Sequence, residues 1–390
     1  VKGKASLPIP DVVVNNGGSG IPGAHCLLGD RLREQRVLGS FGKWRSLMSY
    51  GSNQKNYSLL LHYSSKKRYC IQKTSIGPSL PGVKGNRCLT ADSYCVTNIV
   101  YKILDARMKF GVSPAYMISR WGEDFTAEQQ AESLPEIAGL GFDAFQPEVF
   151  YPERLKTWEI EGAPKLAEVA ELRGLVASQL VGHFLLHGFD SIETLRSGFG
   201  IEEAGRFAET RRLFQGCEVV TLPLPVFAPV EVEQKELADP LVLRRRLLEK
   251  LEAVARAVSE SGGKLALELM PYALLAGTGA LRTFLDELPE SVGFNFDTGH
   301  AWACKERIEL VPGTMGRKLL GTHLCDNDGF ENRSDRPGSG TIPWPATVKA
   351  LQSSGYSGSY DLEIRCRPES IASEYGRGLQ LLKSLLQQRT

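Results

Sequence analysis

The chain has 390 residues, 42% of them hydrophobic, enough to bury the core of one large domain with an appendage. No apolar run reaches the ~20 residues that a membrane-spanning helix needs, which excludes a helical membrane protein. The formal net charge of +1 conceals an asymmetry: residues before Met108 hold 16 Lys and Arg against 5 Asp and Glu, and the rest hold 30 against 40. The acidic body lacks the basic footprint that binding to nucleic acid requires.

Residues 1–107 show neither sustained helical nor alternating periodicity, and Gly, Ser, Pro and Asn interrupt them every few positions. They read as a basic, poorly structured N-terminal extension, with a natural start at Met108; a basic arm or transit-type leader is the alternative. Only "VVV" (12–14) and "YSLLLHY" (57–63) have the look of strands. Gly18, Gly20 and Gly23 have the GxGxxG spacing of a dinucleotide-binding turn, but Pro22 stands where its helix should start and no acid follows about 20 residues on. Lys66, Lys67 and Arg68 read as a solvated run rather than a nucleic-acid patch. The eight cysteines form no CxxC pair, and reduced thiols in a cytoplasm are expected.

From Met108 short apolar strands alternate with amphipathic helices, the pattern of a parallel α/β protein. Strands are expected at 108–113, 142–147, 175–181, 218–222, 264–270, 292–297, 319–324 and 359–365. Helices fall between them at 127–138, 165–172, 204–214, 241–261 and 280–288. In the fourth helix Leu243, Leu247, Leu251, Val254 and Val258 recur at three- and four-residue steps, a stripe suited to packing on a barrel. Eight strand–helix units in residues 108–390 fit a (β/α)₈ barrel, a fold of roughly 250 residues.

Four of these strands end in a carboxylate or an imidazole: "LALELMP" in Glu268, "VGFNFDTGH" in Asp297 and His300, "LLGTHLCDND" in His323 and "YDLEIR" in Glu363. Singly, Glu268 has the alternative of half a salt bridge, Asp297 of a helix N-cap and His300 of a satisfied core histidine. In a parallel barrel the strand ends converge on one mouth, so four such groups on consecutive strands read as one site. Two Glu, one Asp and one His make an oxygen-rich donor set, favouring Mn²⁺, Mg²⁺ or Co²⁺ over structural Zn²⁺. Glu148, His183 and His187 follow the second and third strands, with Glu148 and His183 candidates for substrate contact. Trp121 and Trp344 are candidates for stacking on a sugar, Arg336 and Arg365 for an anion, and Gly338 and Gly340 for a phosphate-binding loop.

Residues 108–390, through "LALELMP", "VGFNFDTGHA", "GTHLCDND", "RPGSGTIPW" and "DLEIR", resemble the xylose isomerase-like TIM-barrel superfamily, the sugar phosphate isomerases and epimerases. The resemblance implies one divalent metal, Mn²⁺ first, held by Glu268, Asp297, His323 and Glu363, with His300 on the substrate and Glu268 and Glu363 as the acid–base pair. The reaction implied is isomerisation or epimerisation of a sugar or sugar phosphate by proton transfer through a metal-stabilised enediolate. A small-molecule sugar or polyol is the expected partner, and pairing into a homo-oligomer through the outer helices is open. Inosose-type dehydratases share this site, endonuclease IV-like phosphodiesterases share the superfamily, and a non-catalytic sugar-binding barrel is a third alternative. The nuclease pattern is incomplete: Pro337 stands where the second residue of its late DxH step belongs, and Gln146 and Glu148 end the second strand instead of histidine.

Overall fold

The computed structural model describes residues 108–228 and 239–387, with the backbone of four strands between residues 33 and 76. The chain divides into two compact units, Val1–Tyr101 and Lys102–Thr390. In the first, Arg33–Leu38, Trp44–Ser52, Lys55–Tyr63 and Tyr69–Ile76 pair antiparallel in that order. The sequence singled out only the third of these. Residues 12–14, the Gly18–Gly23 turn and Lys66, Lys67 and Arg68 lie outside the described residues.

The second unit is a ring of parallel strands. They are β1 (Phe110–Val112), β2 in two pieces (Ala144–Phe145 and Glu148–Val149), β3 in two pieces (Val176–Ala177 and Leu180–Gly182) and β4 (Val219–Leu224). Then follow β5 (Lys264–Leu269), β6 (Val292–Asp297), β7 (Leu319–His323) and β8 (Tyr360–Leu362). Parallel ladders link each strand to the next from β1 to β7. The Leu324–Leu362 bridge joins β7 to β8, and the register Tyr360 to Phe110 joins β8 to β1, so the barrel is closed. Every strand predicted from residue 108 onward is present, within a few residues of its expected bounds.

Around the ring lie α1 (Ala127–Gly139), α2 (Ala163–Arg173), α3 (Ile201–Thr210), α4 (Pro240–Glu260), α5 (Gly277–Leu285), α6 (Val311–Met315), α7 (Trp344–Ser353) and α8 (Ile371–Gln387). Local chemistry sets their ends. Thr126 and Gln129 exchange side-chain-to-backbone hydrogen bonds at the start of α1, and Pro240 opens α4 after the Asp239 N-cap. The predicted stripe on α4 is buried in full, from Leu243 to Val258. Burying a side chain of that size contributes roughly 1.5–3 kcal/mol, so this face is sufficient to dock the helix. Among the described residues no helix is long and apolar enough to cross a membrane.

The strands of such a barrel all run the same way, so the residues at their C-terminal ends share one mouth. β6 and β7 place Asp297 directly beside His323 in register.

Candidate metal centre

Glu268, Asp297, His323 and Glu363 converge at that mouth, each offering a donor atom within 4.8 Å of the others. The first three are buried, at 4%, 2% and 3% exposure. Nδ1 of His323 sits 3.0 Å from Oε2 of Glu268 and 2.8 Å from Oε2 of Glu363, yet it makes an aligned hydrogen bond to neither. Asp297 serves two ends. Its Oδ1 accepts the His300 N–H at 2.7 Å, capping the turn Thr298–Ala303, while its carboxylate still borders the cluster. His300 lies alongside, its Nδ1 3.4 Å from Oε1 of Glu268 and also without a hydrogen-bond partner among the described residues.

The charges respond to this crowding. Burial works against a charged His323, but Glu268 and Glu363 outweigh it and hold the imidazole well above its ordinary range. Burial likewise opposes ionisation of Glu363, and there the neighbouring His323 prevails and draws the carboxyl down to about 2. Asp297 goes the other way, pushed up to about 6 by burial against the pull of His300. A buried group of three carboxylates around an unbonded imidazole nitrogen is an expensive arrangement unless a cation completes it. The donor set therefore fits a divalent metal ion, and its oxygen-rich composition suits a hard or borderline one.

Polar residues below the mouth support these groups. Asn295 donates to Oε2 of Glu268 at 2.9 Å, and Gln179 donates to Asn295 at 2.9 Å while accepting from Thr221 at 2.7 Å. Gln146 faces Nε2 of His323 at 2.8 Å. Sequence reading missed Asn295, Gln179 and the partnership of Gln146. A signal was present: side chains two apart on a strand face the same way, and Asn295 and Gln146 each precede a mouth carboxylate by two positions. Gly321, two before His323, admits them, since a Cβ there would meet Oε1 of Gln179 at 2.4 Å and Oδ1 of Asn295 at 2.5 Å.

The family model described as xylose isomerase-like TIM barrel matches residues 134–385. The chain belongs to this family. Among solved structures of the same fold, D-psicose 3-epimerase with D-tagatose from Clostridium cellulolyticum H10 is 18% identical, with a TM-score of 0.57 over 72% of this chain and 99% of that one. The 3-keto-D-glucoside 4-epimerase YcjR of E. coli is 18% identical, with a TM-score of 0.55 over 71% of this chain and all of that one, at 100%. The IOLI protein, solved with a bound zinc atom, is 19% identical, with a TM-score of 0.54 over 72% of this chain and 96% of that one. The uncharacterised protein MJ1311 of Methanocaldococcus jannaschii is 25% identical over 143 residues, 35% of this chain. The chain thus spans about half, 47%, of the length of that curated relative.

Within this xylose isomerase-like barrel the remaining candidates divide. Glu148 and His183 meet at the mouth, Oε1 to Nδ1 at 3.5 Å, with His183 stacked on Phe150 at 4.0 Å between ring centres. Oε2 of Glu148 is buried without a hydrogen-bond partner among the described residues, and burial raises the carboxyl against the opposing pull of His183. His187 instead lies beside Asp190, half exposed.

The anion candidates are engaged elsewhere. Arg336 pairs with Glu374 of α8 at 3.0 Å, and Arg365 with Glu123 at 2.7 Å. Asp335, the first residue of the incomplete DxH step, accepts from Arg333 at 3.1 Å. The phosphate-loop reading loses Gly338, whose N–H Asp326 takes for itself. It accepts from the backbone N–H of Asn327, Gly338 and Ile342 at 2.9, 2.8 and 3.1 Å. The same carboxylate takes the Trp344 indole N–H at 2.8 Å, so Trp344 is a buried tie rather than a sugar platform. Trp121 likewise donates to Ser133 at 3.0 Å.

Proposed function

We propose that this barrel is a divalent-metal-dependent sugar isomerase or epimerase that moves a proton at a carbon next to a carbonyl. One observation carries the reading. Glu268 and Glu363 approach the same unbonded nitrogen of His323, at 3.0 and 2.8 Å, from two different strands. Two carboxylates flanking a common centre can remove a proton from one face of a carbon and return it to the other, which inverts the centre; return to the adjacent carbon isomerises the sugar. Glu268, Asp297, His323 and Glu363 would hold a divalent cation, which would supply Lewis acidity toward a substrate carbonyl.

The protein residues do the rest. Asn295 holds the Glu268 carboxylate in place through its 2.9 Å hydrogen bond. His300, beside Glu268, presents an unpaired nitrogen suited to a substrate hydroxyl. Glu148 and His183 offer a second polar pair for hydroxyls farther along the sugar. The epimerases among the similar structures support a sugar as the substrate class. Mn²⁺ is the metal favoured by the donor set, with Mg²⁺, Co²⁺ or Zn²⁺ as alternatives.

The test is solvent deuterium uptake into a panel of ketoses and polyol ketones by Mn²⁺-loaded protein. Uptake of one deuteron per turnover at a carbon adjacent to the carbonyl supports the proposal. Loss of water from a polyol ketone would replace it with a dehydratase, and sugar binding with neither reaction would replace it with a binding protein.

A further inference from the structure

Below the metal centre, Asp361 on β8 is a buried acid whose side-chain hydrogen bonds come from neutral donors. It accepts from Nε2 of Gln146 at 2.8 Å, from the Ser178 hydroxyl at 2.8 Å and from the Ser359 hydroxyl. The barrel is cut to admit it: a Cβ on Gly111 of the neighbouring strand would lie 1.9 Å from Oδ1 of Asp361. Burying an acid costs free energy unless it is fully bonded, so a position built this closely invites the question of what it orients.

Hydrogen-bond polarity gives an answer. Burial raises the Asp361 carboxyl against the pull of its Ser359, Gln146 and Ser178 donors, and its Oδ2 accepts from both Gln146 and Ser178, which turns the amide nitrogen of Gln146 toward Asp361. That leaves Oε1 of Gln146 as the atom facing Nε2 of His323, at 2.8 Å. A carbonyl oxygen only accepts, so Nε2 must carry the proton. In the neutral imidazole the lone pair then falls on Nδ1, the atom beside Glu268 and Glu363. One competing group is present. Nε2 of Gln179 lies 3.4 Å from the same Nε2 of His323 and would favour the opposite tautomer. Its shorter bond is to Asn295 at 2.9 Å, whose own amide nitrogen is committed to Glu268. The 2.8 Å contact from Gln146 is the one with hydrogen-bond length to spare.

We propose that Asp361 is a positioning residue which, through Gln146, sets the tautomer of His323 and so aims its Nδ1 lone pair at the metal. The inference rests on the metal-dependent reading above. Ligand histidines are commonly oriented by a hydrogen bond to the other ring nitrogen, and loss of such a partner typically lowers metal affinity about 10–100-fold. Here the carboxylate acts one residue farther out, with an amide between.

The test uses the full chain and two variants, Asp361→Asn and Gln146→Met, with Mn²⁺ affinity measured by calorimetry. The ring-nitrogen shifts of His323 are read by ¹⁵N NMR on chelated protein, at a pH where the imidazole is neutral. Wild type is expected to show the Nε2–H form. Asp361→Asn can present an amide nitrogen to Gln146, let it flip and mix the tautomers, with Mn²⁺ affinity falling about 10–100-fold. Gln146→Met removes the acceptor and leaves Asp361 its two serines, with the same expected loss. A folded Asp361→Asn protein that keeps the Nε2–H signature and binds Mn²⁺ within twofold of wild type overturns the proposal. Should Asp361→Asn not fold, the same result from Gln146→Met overturns it. Wild type that binds no divalent cation would sink the metal reading, while the NMR comparison would still decide the relay.

Discussion

Nδ1 of His323 lies 2.8 Å from Oε2 of Glu363 without an aligned hydrogen bond between them. A nitrogen and a carboxylate oxygen this close usually share a proton; here both face the common centre that Glu268 and Asp297 also border. Ligands of one ion are arranged in this way, and the consequences can be measured.

Glu268→Gln and Glu363→Gln should each reduce turnover on the order of 10²–10⁴-fold at saturating Mn²⁺, the usual contribution of a general acid or base. Each amide also weakens metal binding, so turnover must be compared across a Mn²⁺ titration. Full activity of either variant at saturating metal would remove that carboxylate from the acid–base pair.

Chelation should lower the melting temperature. At Mn²⁺ about 100 times its Kd, binding stabilises the fold by ~2.7 kcal/mol, or roughly 4–5 °C for a domain of this size. His323→Ala should abolish the difference between chelated and Mn²⁺-supplemented protein. An equal Mn²⁺ effect in that variant would place the ion elsewhere.

The size of the Mn²⁺ effect should grow with pH. In metal-free protein His323 is raised above its ordinary range, so its contribution is full below about pH 6.5 and lost as pH rises through the elevated folded value. Asp297, raised to about 6, contributes in the same sense: its term is present below about pH 4 and lost as pH climbs toward 6. Glu363, drawn down to about 2, is stabilising above about pH 4.3 and loses its term only as pH falls toward that value. The cation requires His323 and Asp297 deprotonated, so its binding gains where their proton terms fade. Melting curves from about pH 6 to 8.5 should therefore diverge between chelated and Mn²⁺-supplemented samples; parallel curves would show that metal binding releases no proton.

Gly321→Ala should cost about 1–3 kcal/mol by overpacking, because its Cβ would collide with the Gln179 and Asn295 amides. Denaturant unfolding measures this directly. A cost below about 0.3 kcal/mol would mean that the amide layer shifts freely and does not hold Glu268.

Asp326→Ala should loosen the loop after β7. Three backbone donors and the Trp344 indole lose their acceptor. Each buried unmatched donor costs roughly 1–3 kcal/mol before water or relaxation recovers part of it. Intrinsic fluorescence should shift to the red as Trp344 meets solvent, and an unchanged spectrum would show that the loop is held by other contacts.

The strand–helix alternation, the α4 stripe and the four metal-type residues that cluster at the mouth were legible in the sequence by itself. Each rests on a local rule: apolar runs of strand length, helical spacing of Leu243 to Val258, and a charged residue where an apolar strand ends. The layer beneath the ligands was not legible. Asn295 and Asp361 look like isolated polar interruptions in apolar strands, and nothing local says that Gln146 from β2 meets both Asp361 and His323, which lie 215 and 177 residues away along the chain. Only barrel closure brings those strands together. It likewise decided that Arg336 turns outward to Glu374 and that Asp326 captures Trp344 and the Gly338 N–H. Which residues have the chemistry to hold a cation is written in local pattern; which atoms aim them is a matter of long-range geometry, since hydrogen-bond partners are chosen by proximity in space.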